Sequence, residues 1–136
     1  LARCGNQFRG RRLQALGLTA AQGPYILHIC ARPGMSQEEL AAALHVNPSN
    51  AARQLSALCD NGFVTRRERP DDRRQLAVYP TQKAIDAVPV VRGINVAWHD
   101  YITEGMTPEE KDILSMLLEK MRLRAAQWDR ERGDNA

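Results

Sequence analysis

Apolar positions recur at helical spacing along most of this chain, and the pattern changes character only once, after Gly62. Leu1, Cys4 and Phe8 share one face of a helix predicted over residues 1–16, with Arg9, Arg11 and Arg12 on the others and Gly17 as its stop. Thr19 and Gln22 have the spacing of a capping box, in which each side chain satisfies the other's backbone N–H. The helix behind it carries Tyr25, Ile26, Leu27 and Ile29, and it ends before Arg32-Pro33-Gly34 because Pro33 pushes its predecessor out of helical geometry. Ser36 and Glu39 repeat the box ahead of a short helix to about Leu44 that buries Leu40 and Leu44. After the break at His45-Val46-Asn47, Asn47 caps a fourth helix with Pro48 at its first position, where a missing N–H is harmless. Ala51, Leu55 and Leu58 form its inward stripe, and Gly62 closes it.

Phe63-Val64-Thr65-Arg66-Arg67-Glu68 and Leu76-Ala77-Val78-Tyr79 are β-prone, and the charged turn formers of residues 69–75 between them predict a hairpin. Thr81 caps a long fifth helix to about Tyr101, with Val88, Val91, Trp98 and Ile102 on its apolar face. Gly105 separates it from a last helix opened by a third box, Thr107 to Glu110. Ile113, Leu114, Leu117, Leu118, Met121 and Trp128 give residues 108–131 a broad apolar face, and Gly133-Asp134-Asn135-Ala136 reads as a frayed end. The fold class is therefore mainly α with a small β-hairpin wing: a winged helix-turn-helix lobe over residues 36–81, with helical dimerisation regions at 1–35 and 82–136.

Composition adds a partner. The 136 residues have a net charge of only +3, but arginine outnumbers lysine and clusters, which suits a polyanion. At 43% hydrophobic content the chain is globular, and no apolar run approaches the roughly 18 residues of a membrane span. Cys4, Cys30 and Cys59 are odd in number and widely spaced, which argues for a reducing, cytoplasmic setting and against a thiol zinc site. His28, His45 and His99 form no HxxxH pair, so no metal or cofactor is expected. No nucleophile–base pair or phosphate-cradling loop is visible, which argues against an enzyme and leaves no catalytic residue to name.

A helix fits the major groove, where every base pair shows a distinct hydrogen-bonding pattern, and contacts come from the N-terminal half of the motif's second helix. Here that half presents Ser49, Asn50, Arg53 and Gln54, and Ser36 and Gln37 open the preceding helix. The hairpin adds Arg66, Arg69, Arg73 and Arg74, which suit a narrow minor groove, and Asp72, which is placed to hold Arg73 or Arg74 or simply to form the turn. A solvated polar helix face and a charged turn are the bland alternatives; it is the two features in sequence that point to double-stranded DNA.

In order and spacing, Leu18-Thr19 with Gln22, Ser36-Gln37-Glu38-Glu39-Leu40-Ala41, Leu55-x-x-Leu58, Asn61-Gly62-Phe63-Val64-x-Arg66 and Pro70-x-Asp72-Arg73-Arg74 resemble the multiple-antibiotic-resistance regulator (MarR) family of bacterial transcription factors. The resemblance runs from about residue 3 to 125. It implies a homodimer on a pseudo-palindromic operator, repression as the default, and release by a small, often aromatic, ligand between dimer base and winged lobe. Tyr25, His28, Cys30 and Arg32 lie on or near the second helix, which should border that crevice, with Tyr25, His28 and Arg32 as the pocket residues it suggests, and Phe8, Trp98, Leu117, Met121 and Trp128 the dimer interface. Where the family usually has Leu-Thr-x-x-Gly after the wing, this chain has Pro80-Thr81-Gln82-Lys83-Ala84, and Pro80 is expected to end strand pairing one residue early. The rival functions are a constitutive or redox-sensing winged-helix DNA-binding protein without an inducer, and a winged helix that binds protein. For a redox role Cys4 is expected to be buried, and Asp60 to disfavour a Cys59 thiolate.

Overall fold

Side-chain caps open several of the helices, and a residue in the left-handed region follows the end of some. The computed structural model describes residues 1–133; residues 134–136 of the expected frayed end lie outside the described residues. The elements are α1 (Ala2–Leu13), a 3-10 turn (Gln14–Leu16), α2 (Gly23–Ala31), β1 (Met35–Ser36), α3 (Gln37–Leu44), α4 (Pro48–Asp60), β2 (Val64–Glu68), β3 (Leu76–Pro80), α5 (Gln82–Ile102) and α6 (Pro108–Gly133).

The Ser36 hydroxyl accepts the Glu39 N–H at 3.1 Å while the Glu39 carboxylate accepts the Ser36 N–H at 2.9 Å, so α3 starts with both orphan donors satisfied. Asn47 accepts the Ser49 N–H at 2.8 Å ahead of α4. Thr107 and Glu110 close the same reciprocal pair before α6. The Thr19–Gln22 pair behaves differently. The Gln22 side chain does accept the Thr19 N–H at 3.0 Å, but α2 starts only at Gly23. Pro24 has no N–H to give the carbonyl four residues back, so the ladder opens later, with the Ile26 N–H on the Gln22 carbonyl at 3.2 Å. Gly62 ends the α4 turn in the left-handed region at φ 78°, where a side chain would be strained. His45 adopts the same region, at φ 53°, to turn the chain between α3 and α4.

The expected hairpin is part of a three-stranded antiparallel sheet, ordered β1-β3-β2. β1 pairs Met35 with Val78 and Ser36 with Ala77; two residues are too few to show a period in sequence. The expectation for Pro80 is corrected, because Pro80 still pairs with Val64 and the Thr81 N–H reaches the Phe63 carbonyl at 2.9 Å. Antiparallel ladders alternate hydrogen-bonded and non-bonded pairs, and Pro80 falls on a non-bonded pair, where its missing N–H breaks nothing.

The chain forms two compact units, Leu1–Trp98 and His99–Ala136. In the first, one core joins Leu13 of α1, Ile26 and Ile29 of α2, Leu40 of α3, Leu55 and Leu58 of α4, Val78 of β3 and Val91 of α5. The apolar stripe expected on α1 is mostly outside this core. Leu1 and Cys4 are exposed, and α1 buries Gly5 and Leu13 instead. Gly5 allows the close approach: a Cβ there would stand 3.2 Å from the Trp98 ring. In the second unit, Thr103 turns the end of α5 back on the His99 carbonyl at 2.8 Å. α6 leaves Ile113, Leu117, Leu118, Met121 and Trp128 exposed, Met121 by 67%.

Candidate nucleic-acid interface

Burial of Ala51, Leu55 and Leu58 fixes the rotation of α4 and turns its other side outward. Ser49 and Arg53 are exposed on that side, and Asn50 is half-buried beside them. Gln54 is also half-buried, because its Oε1 accepts from Nε2 of Gln22 at 3.3 Å. The positive end of the helix dipole lies at the same end of α4.

Ser36 and Gln37, expected as contacts, do not behave alike. Ser36 is corrected: it is 1% exposed and its hydroxyl is engaged in the α3 cap, so it positions its neighbours and does not face a ligand. Gln37 remains half-exposed, with its Oε1 3.5 Å from Nη1 of Arg66.

The arginines of the hairpin fall into two groups. Arg66 and Arg69 are held by the protein. The Arg66 guanidinium donates to Ser56 Oγ at 2.7 Å and Cys59 Sγ at 3.3 Å, both on α4. Arg69 pairs with Glu39 at 3.2 Å and with Asp71 at 3.6 Å, and it donates to Gln75 Oε1 at 3.2 Å. The Ser36 N–H and then Arg69 hold the Glu39 carboxyl below its usual range, and Glu39 in turn raises the Arg69 pKa. Arg73 and Arg74 at the tip are exposed. Asp72 accepts the backbone N–H of Arg74 at 3.0 Å. Of its two expected roles, that is the turn-forming one; among the described residues no ion pair joins Asp72 to either arginine. Arg67 lies over the Tyr79 ring at 4.9 Å. Sequence reasoning missed Ser56, Cys59 and Gln22 as partners, since the links span 7 to 32 residues and leave no local pattern.

The suggested pocket residues are placed differently from expectation. Tyr25 is 2% exposed within the core, and burial raises its pKa. His28 Nδ1 faces the Pro24 carbonyl at 3.0 Å, and Arg32 is exposed. An open crevice of about 340 Å³ does border α2, but on the face of Leu27, Cys30 and Ala31, against Ile85, Val88, Pro89 and Arg92 of α5. Of the four residues expected near it, Cys30 lines this crevice, while Tyr25, His28 and Arg32 are not among its lining residues, and Tyr25 turns with Ile29 into the core. Burial pushes the Cys30 thiol up.

Of the suggested dimer residues, Phe8 and Trp98 pack on each other with ring centroids 5.2 Å apart, and Arg12 covers Phe8 at 3.5 Å. Leu117, Met121 and Trp128 are exposed on α6. The cysteines form no disulfide; Cys4 is exposed, contrary to expectation, with Cys30 and Cys59 intermediate. Among the described residues no group of three or more His, Cys, Asp or Glu could hold a metal, and no helix is long and apolar enough to cross a membrane.

Two short helices joined by a tight turn, backed by a three-stranded sheet with an arginine-tipped loop, define a winged helix-turn-helix protein of the DNA-binding class. The MarR family model matches residues 18–76. The HTH-type transcriptional regulator BilQ of Clostridium symbiosum (strain WAL-14163) is 31% identical over 109 residues, 80% of this chain and 76% of that protein. A crystal structure of MarR is similar with a TM-score of 0.87 and 29% identity, over 96% of this chain and 88% of the other. A MarR family regulator from Listeria monocytogenes, solved with 26mer DNA, gives a TM-score of 0.84 at 24% identity, over 93% and 84% of the two chains. The chain belongs to the MarR family. It is a winged-helix transcriptional regulator and not an enzyme.

Proposed function

We propose that this regulator binds a pseudo-palindromic operator as a homodimer in the cytoplasm, represses from it, and is released by a small aromatic acid. The observation that carries the reading is the division of the wing: Arg66 and Arg69 brace it against α3 and α4, which leaves Arg73 and Arg74 exposed at its tip. A braced, arginine-tipped hairpin beside an outward helix face suits a minor groove next to the major groove that the helix reads. Ser49, Asn50, Arg53 and Gln54 are the residues for the major groove, with Gln37 at its edge. Dimerisation is supported by the exposed apolar face of α6, since a solvated helix of this composition exposes more hydrocarbon than a monomer commonly tolerates. The residues for that contact are Leu117, Met121 and Trp128.

The α2–α5 crevice supports the inducer. Its walls are apolar and Arg92 is its one cationic side chain, an arrangement suited to an aromatic ring with a carboxylate. Selection of bound duplexes from a random pool tests the operator, and a thermal-shift series with benzoate and phenolic acids tests the inducer. Enrichment of a two-fold sequence, together with stabilisation that Arg92→Ala removes, is expected. No enriched sequence would refute the operator, and no stabilisation the inducer.

A second reading, release by oxidation, is favoured by the Arg66 contact to Cys59, since reactive thiols sit in cationic, accessible settings. Hydrogen peroxide should then release the protein from DNA and leave Cys59→Ser bound; equal behaviour of the two proteins counts against it.

A further inference from the structure

We infer that Gln22 is a positioning residue that fixes which group Gln54 turns toward DNA, and that Gln54 thereby selects a keto base, guanine or thymine. The inference rests on the reading of α4 as the groove-facing helix. It follows from a chain of donors and acceptors that has only one consistent solution.

A backbone N–H can only donate, so the Gln22 atom 3.0 Å from the Thr19 nitrogen is the amide oxygen. That choice fixes the other end of the same amide. The Gln22 nitrogen, which can only donate, lies 3.3 Å from Gln54, and its partner is therefore the Gln54 oxygen. Gln22 is 4% exposed, so water has no room to rescue the flipped arrangement, in which the amide nitrogen would face the Thr19 N–H. The Thr19 N–H thus sets the orientation of Gln22, and Gln22 sets that of Gln54.

Gln54 sits in the second turn of α4, half-buried, with its oxygen drawn inward. The amide nitrogen is the group left for the groove. An unconstrained glutamine reads adenine with both ends, accepting from N6 and donating to N7. A glutamine whose oxygen is held inward presents donors alone. In the major groove, donors find two acceptors on guanine, O6 and N7, or the thymine O4; adenine offers only N7 beside an opposing N6 amino group, and cytosine N4 offers none. The discriminating feature is the keto oxygen, and Gln22, buried behind Gln54, decides it.

The test is selection from a random duplex pool with the wild-type chain, Gln54→Ala, Gln22→Glu and Gln22→Met, each checked for folding by circular dichroism. Gln54→Ala locates the position by losing preference there, and the wild-type chain should favour guanine or thymine at it. Gln22→Glu offers Gln54 an acceptor, so the amide turns over and the preference moves toward adenine or cytosine. Gln22→Met offers neither group, so the preference at that position flattens while the others persist. A merely structural role for Gln22 would weaken all positions together. The inference is overturned if Gln22→Met and Gln22→Glu keep the wild-type preference, or if the wild-type chain favours adenine or cytosine where Gln54→Ala acts. It is overturned too if Gln54→Ala changes no position. The last two outcomes need no Gln22 variant to fold. Failure of the wild-type chain to enrich any sequence overturns the operator reading, and this one with it.

Discussion

The Arg66 guanidinium donates to the Ser56 hydroxyl at 2.7 Å, which ties the base of the wing to the outer half of the recognition helix. The same group reaches Cys59 on α4 and Gln37 on α3, so one side chain fastens three elements. Arg66→Ala is therefore expected to lower stability by about 1–2 kcal/mol through lost hydrogen bonds. Its affinity for DNA should fall without a change in salt dependence, because this arginine is committed to protein. Thermal melts and anisotropy titrations across a salt series check both halves.

Arg74 should behave in the opposite way. It is exposed at the tip, where a phosphate or a narrow groove can take it. Arg74→Ala is expected to leave the melting temperature unchanged and to reduce the slope of log affinity against log salt by about one. An unchanged slope would move Arg74 out of the interface.

Asp72 supports that tip through backbone geometry. Its carboxylate accepts the Arg74 N–H at 3.0 Å, the bond of an Asx turn. Asp72→Ala is expected to weaken DNA binding by about 1 kcal/mol, and Asp72→Asn, which keeps an acceptor, by much less. If Asp72→Asn were as weak as Asp72→Ala, the carboxylate charge and not the turn would be the relevant property.

Much of this arrangement was legible in the sequence because its causes are local. Ser36 with Glu39, Asn47 with Pro48, and Thr107 with Glu110 announce their helices within four residues. The charged turn between two β-prone runs announces the wing. The two-residue β1 and the late start of α2 were not legible: β1 exists only through its pairing with β3, and α2 is delayed by a proline inside its own first turn. In the site, the face of α4 follows from the stripe of Ala51, Leu55 and Leu58. Which wing arginines are braced does not, because Glu39 lies 30 residues from Arg69 and Ser56 ten from Arg66. The burial of Tyr25 is not legible either, since it reads as a polar-tipped residue until the core takes it.

Acid should loosen the wing through Glu39. The Ser36 N–H and Arg69 favour its ionised form, so the folded pKa lies below the unfolded one. The stabilisation is thus fully present above the unfolded glutamate value, roughly 4.3, and is lost as pH falls through the lower folded value. Glu39→Gln should flatten the acid limb of melting temperature against pH. A limb of the same slope in both proteins would assign the acid sensitivity to other carboxylates.

The proposed dimer rests on the exposed apolar face of α6. Leu117→Glu or Met121→Glu is expected to yield a folded monomer by sedimentation velocity, one that binds a single half-site and loses the gain from a full operator. Dimers that survive both substitutions would place the contact elsewhere.

In the proposed complex two copies read DNA together, each with α4 in a major groove and Arg73 and Arg74 at the adjoining minor groove. Hydroxyl-radical footprinting on a selected duplex tests it most directly. Two protected patches related by a two-fold axis are expected, their centres about 10 base pairs or a multiple apart, with the outer minor-groove protection lost in Arg74→Ala. A single unsymmetrical patch, or symmetrical protection that Arg74→Ala leaves intact, would contradict it.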